Sequence, residues 1–159
     1  MRLFIAAELD DVVRREVGRL SERLARELEP RGRRSIAWVA PANMHLTLRF
    51  LGEVDAATAS AVSGCLSSPF ETQVFRLATG KVGTFPPSGP PRVVWLGLRS
   101  GVEELAAVHR EIEARLAGVG FPPEDRPFRA HLTLGRVKGP VGAQFRSVLS
   151  NLPTPVAGE

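Results

Sequence analysis

The chain has 159 residues, of which 43% are hydrophobic and 24% charged, the balance of one globular domain with a real core. One cysteine excludes an internal disulfide framework, and no apolar run approaches the length of a membrane span. The net charge of +4 is almost wholly arginine, since Lys81 and Lys138 are the only lysines, so an anionic or nucleic-acid partner is allowed but not required.

"MRLFIAAELDD" meets acids too soon for a signal peptide, and a cytoplasmic protein without a membrane partner is expected. Residues 2–9 read as a strand, Asp10 as a helix N-cap and 11–29 as a long helix with Val13, Val17, Leu20, Leu24 and Leu28 inward. Arg14, Arg15, Arg19, Arg23 and Arg26 lie mostly off that stripe, with Asp11–Arg15 and Glu22–Arg26 spaced for ion pairs. This is the pattern of a solvated face.

"PRGRRS" (30–35) is a loop, followed by the extended "IAWVA" and "NMHLTLRFLGEV". A second helix runs from an Asp55 cap to about Ser68, with Ala59, Val62, Cys65 and Leu66 on one side, so Cys65 reads as a small buried hydrophobe. Residues 70–85 alternate in places like a strand, 86–91 ("PPSGPP") turn, and 92–99 form another strand. A third helix over 102–118 turns Leu105, Val108, Ile112 and Leu116 inward, and His109 borders that face as an ordinary half-buried histidine. Residues 127–137 are strand-like, and a short helix with Phe145, Val148 and Leu149 leads into a proline-rich end. The element order nearly repeats, without a linker between the copies. A single α+β domain of two pseudo-symmetric lobes is expected, with antiparallel sheets flanking a central cleft and helices outside.

Two of the three histidines open the same tetrapeptide, "HLTL", at His45 and His131. Alternate residues of a strand share a face, so His45, Thr47 and Arg49 should point one way and Leu46, Leu48 and Phe50 the other. In the second copy Arg129, His131 and Thr133 share a face, against Phe128, Leu132 and Leu134. An imidazole pair supplies a general base and a general acid near neutral pH. Threonine hydroxyls donate to phosphate oxygens and arginines neutralise their charge. These are the parts for in-line displacement at a phosphodiester. A zinc site would need ligands that these strands do not carry, so neither metal nor cofactor is expected.

The doubled His-x-Thr motif resembles the two-histidine (2H) phosphoesterase superfamily. "RLFIAAEL", "WVAPANMHLTLRFLGEV", "GTFPP", "PRVVWLGL" and "RPFRAHLTLGRVK" are similar, in order, to segments of its RNA 2′,3′-cyclic phosphodiesterases, also called 2′-5′ RNA ligases. The resemblance covers nearly the whole chain. It implies His45 and His131 as the catalytic pair, Thr47 and Thr133 as phosphate-binding partners, and Arg136 as a further phosphate ligand. Strict alternation puts Arg136 on the leucine face, so a bend or the strand end must bring it round. Arg49 and Arg129 are added as phosphate ligands from strand parity alone. The implied activity is hydrolysis of RNA 2′,3′-cyclic phosphate ends to 2′-phosphate, with ATP-independent 2′-5′ ligation as its reverse. The expected partner is such an RNA end, tRNA fragments included, met by a monomer. A small cyclic nucleotide as substrate and a non-catalytic RNA-binding module are the other readings. Family members usually continue with a strand or two, which are expected to be missing beyond "NLPTPVAGE".

Overall fold

The computed structural model describes residues 1–29 and 34–152, so part of the loop expected at 30–35 and the proline-rich end lie outside the described residues. Six strands form one antiparallel sheet: β1 (Arg2–Glu8), β2 (Ile36–Trp38), β3 (His45–Glu53), β4 (Ala78–Phe85), β5 (Val93–Ser100) and β6 (His131–Val137). Their order is β1-β3-β6-β5-β4, with β2 also on β6. Four helices complete the described fold: α1 (Asp11–Leu28), α2 (Ala56–Cys65), α3 (Val102–Ala117) and α4 (Phe145–Asn151).

The separate sheets expected from the repeat are therefore one. β3 and β6 are its central neighbours, yet their ladder holds a single pair, Leu46 opposite Leu132. Chain flow explains why. The chain runs along β6 as β2, breaks at a 3₁₀ turn over Pro41–Asn43, and returns to β6 only at the start of β3. Thereafter β3 pairs with β1 along its whole length.

Leucines make the other side of the sheet the core. Leu46, Leu48, Leu96, Leu132 and Leu134 cluster with Val17, Leu20 and Leu24 of α1 and Leu105, Ile112 and Leu116 of α3. Caps fix where the helices begin: Asp10 accepts from Val13 N at 2.9 Å, and Asp55 accepts from Thr58 N at 2.7 Å. At the end of α1, Glu29 accepts from Ile36 N and Trp38 Nε1, both at 2.8 Å, which anchors β2.

Two expectations change. Residues 70–77 are not strand. Side chains of α3 hold that stretch instead of a ladder: Arg115 donates to the Ser68 and Pro69 carbonyls, lies 4.5 Å from the Phe70 ring centre, and Glu111 accepts from Glu71 N. On α1 the ion pairs are Asp11–Arg14 at 3.9 Å, Glu16–Arg19, and Arg23–Glu27 at 3.6 Å, not the expected Asp11–Arg15 and Glu22–Arg26.

Candidate active site

The pair Leu46–Leu132 does more than join the halves. In each motif that leucine is the second residue, so a local twofold axis between the two strands carries His45 onto His131 and Thr47 onto Thr133. Continuing the antiparallel register sets His45 across from Thr133 and Thr47 across from His131. Both leucines are buried, while all four polar residues are half-buried on the opposite side of the sheet.

The axis extends to the hydrogen bonds. Nδ1 of His45 meets the carbonyl of Asn43 at 2.9 Å, and Nδ1 of His131 meets the carbonyl of Arg129 at 2.6 Å. A carbonyl only accepts, so each Nδ1 carries its hydrogen and each Nε2 is the atom left to gain or lose a proton. Each ring is also held by a phenylalanine. Phe4 stacks on His45 with centroids 4.8 Å apart, and Phe85 meets His131 edge-on at 5.1 Å. Phe85 in turn packs on Trp95 at 5.1 Å.

Strand parity breaks in both motifs, at the same residue. In β3, Ile5 pairs with Arg49 and Ala6 with Thr47, so Leu48 is left over. In β6, Val94 pairs with Gly135 and Trp95 with Thr133, so Leu134 is left over. Each extra residue is a β-bulge that shifts everything after it to the other face. Leu48 and Arg49 are thus buried in succession, as are Leu134 and Gly135, and Phe50 and Arg136 then emerge exposed. Arg136 reaches the histidine face by this bulge.

Arg49 does not. It is 7% exposed and its guanidinium is committed to Glu113 at 2.9 Å, Glu124 at 2.8 Å and the Pro122 carbonyl at 2.6 Å. The phosphate role expected from parity fails for this residue because the bulge turns it inward. Arg129 is exposed, and its backbone carbonyl is what touches His131.

Behind the sheet, His109, Glu113 and Glu124 bring ligand atoms within 4.8 Å of one another, a spacing that would suit a cation. Arg49 is that cation, ion-paired to both carboxylates. His109 stacks flat on Phe128 at 4.2 Å, and burial holds its pKa below the ordinary 6.5, with the Glu113 charge opposing. A groove of about 310 Å³ also opens on the leucine side, lined by Leu46, Leu132, Leu98, Phe75 and Val13 among others. It lies behind the motif strands, away from both imidazoles. Sequence reasoning missed Phe4, Phe85 and Trp95, whose only signal was their place on strands paired with the motifs.

An antiparallel sheet with helices on its leucine side and a twofold-related His-x-Thr pair on its open side defines a 2H phosphoesterase. A family model described as LigT-like phosphoesterase matches residues 11–95 and 96–156, and the chain belongs to that family. It is 38% identical to the RNA 2′,3′-cyclic phosphodiesterase of Archaeoglobus fulgidus over 87% of this chain and 73% of that protein. It is 34% identical to the enzyme of that name from Thermotoga maritima over 87% of this chain and 71% of the relative. Among solved structures, E. coli LigT complexed with 3′-AMP superposes with a TM-score of 0.71 at 30% identity, over 97% of this chain and 78% of that one. A Thermus thermophilus protein, TT0787, gives 0.73 at 27% identity, over 97% and 79%.

Proposed function

We propose that this phosphoesterase opens 2′,3′-cyclic phosphate ends of RNA to 2′-phosphates with His45 and His131 as its proton-transfer pair. The observation that carries the reading is the matched tautomer lock, an Nδ1 to carbonyl bond on each histidine with both Nε2 atoms left for chemistry. One imidazole removes a proton from water as its oxygen attacks phosphorus. The bond to the 3′ oxygen breaks, and the other imidazole returns a proton to it. Thr47 and Thr133 donate to the non-bridging oxygens, and Arg136 balances their charge. The enzyme names of the relatives support this substrate, and the pI of about 10.5 suits RNA over a small cyclic nucleotide.

With an RNA 5′-hydroxyl in place of water, the same groups deprotonate that hydroxyl as its oxygen attacks phosphorus, protonate the departing 3′ oxygen, and leave a 2′-5′ bond. Water needs no positioning, so hydrolysis dominates unless a second strand is held close to the phosphate. The test is an RNA oligonucleotide with a cyclic-phosphate end, offered with a 5′-hydroxyl acceptor and a chelator. A 2′-phosphate product formed at an unchanged rate in the chelator is expected. A 3′-phosphate, a mainly ligated product, or loss restored by a divalent cation would overturn the corresponding part.

A further inference from the structure

Phe85 is the last residue of β4, at the edge of the sheet, yet its ring is the one that meets His131 edge-on. Its counterpart Phe4 lies inside β1, where the ladder to β3 continues on both sides and fixes it. Beyond Phe85 the chain enters "PPSGPP", in which only Ser88 and Gly89 have a backbone N–H. A bond from Arg92 N to the Phe85 carbonyl, 2.8 Å long, closes the mouth of this turn. The turn has few donors of its own for the carbonyls farther out.

Arg146, on α4, supplies them. Its Nη1 donates to the Thr84 hydroxyl at 2.6 Å and the Pro87 carbonyl at 2.9 Å. Its Nη2 donates to the carbonyls of Pro86, at 3.2 Å, and Gly89. These four bonds use every hydrogen on the two terminal nitrogens. Two of the acceptors, on Thr84 and Pro86, bracket Phe85 in sequence. The base of the grip is firm, because the adjoining Phe145 is buried in the core cluster with Leu149.

Such a grip would steady any turn; its consequence here comes from where the gripped ring lies. Phe85 packs on Trp95 and on His131, each at 5.1 Å between centroids. The bond from Nδ1 to the Arg129 carbonyl holds His131 at one atom, and the ring contact keeps the imidazole from tilting about that bond. We propose that Arg146 is a positioning residue that sets the direction of His131 Nε2 through Phe85. This rests on the phosphodiesterase reading, in which that Nε2 moves a proton, and adds α4 to the parts that serve it. A lysine could not replace it, since its hydrogens leave a single nitrogen while the acceptors spread from Thr84 to Gly89.

The experiment is a double-mutant cycle in the full chain, read by hydrolysis of a cyclic-phosphate oligonucleotide and by the histidine ring signals in NMR spectra. Arg146→Ala should lower kcat by about 10–100-fold, the scale of a small misplacement at a reacting group, with KM changed little. The His131 ring signals should move while those of His45 stay. In a Phe85→Leu background the same change should cost little more, because its effect passes through the ring already removed. Equal losses in the two backgrounds, or unmoved His131 signals in a folded Arg146→Ala chain, would overturn the positioning role and leave the phosphodiesterase reading intact. Should Arg146→Ala not fold, Thr84→Val, which removes one acceptor of the grip, is judged by the same two criteria. Failure of the unmodified chain to hydrolyse the oligonucleotide would overturn the phosphodiesterase reading, and the positioning role with it.

Discussion

At the scale of single residues, the site rests on two imidazoles whose Nδ1 atoms are fixed by main-chain carbonyls two residues upstream. Under the proposed mechanism, replacing either His45 or His131 by alanine removes one proton-transfer group and should cost about 10²–10⁴-fold in turnover. In the same mechanism Thr47→Val and Thr133→Val each remove one hydrogen bond to a charged oxygen, worth about 1.5–3 kcal/mol, so their loss in kcat/KM should be smaller. Steady-state kinetics on a cyclic-phosphate oligonucleotide reads both, and near-normal turnover in a histidine variant would end the assignment. His109 gives a separate prediction, on stability. Its pKa is lowered in the folded chain, so the unfolded chain takes up the proton first as pH falls below the ordinary 6.5. The stability this contributes is present above that value and is lost as pH falls through the lowered one. His109→Gln should flatten that part of a thermal-melting profile, and an equally steep profile would refute the attribution.

At the scale of elements, helices were legible because capping and apolar periodicity act locally. Asp10 and Asp55 are caps where the sequence expects them, and α1, α2 and α3 start within a residue of their predicted starts. The strand over 70–77 failed because alternation cannot reveal whether a pairing partner exists. The bulges failed for a related reason. Nothing in "HLTLRF" or "HLTLGR" states that the fourth residue drops out of the ladder, yet that decides whether Arg49, Phe50 and Arg136 face the imidazoles or the core. Gly135 shows the cost of the inward position. A β-carbon there would lie 2.7 Å from Ile36 Cγ2, so β2 can cross only over a glycine. Gly83 has a like constraint on the open face, where a β-carbon would lie 2.3 Å from the Trp95 ring. Gly83→Ala must push the indole against Phe85 and so disturb His131. The expected result is lower kcat with a shifted tryptophan emission and a retained fold. Normal kcat together with an altered emission would detach Trp95 from the chemistry.

At the scale of the whole molecule, two halves with little strand contact must still hold their histidines in one geometry. The repeat made the halves legible in the sequence; how they are joined was not, since it depends on Arg49, whose parity pointed the wrong way. Arg49 leaves the strand of His45 and grips Glu113 on α3 together with Glu124 and Pro122, on the segment leading to His131. Removing it leaves the largely buried Glu113 carboxylate without that cation. Arg49→Ala should therefore destabilise by about 3–5 kcal/mol in urea unfolding. The double variant Arg49→Met/Glu113→Leu should recover much of the loss, and a small effect of the single change would show the halves to be held by their leucines alone.

The twofold axis through Leu46 and Leu132 also bears on ancestry. A contact that maps one strand onto its neighbour is the kind two identical chains make when they form a closed pair. A half-length forebear bearing one His-Leu-Thr-Leu strand would have built this site by pairing with itself. It would also have carried the same side chain at both of the positions now held by Phe50 and Arg136. Only after duplication and fusion could one copy carry a cation while the other carries a ring. The inequality of the two strands beyond their bulges is thus a property that a symmetric ancestor could not have encoded.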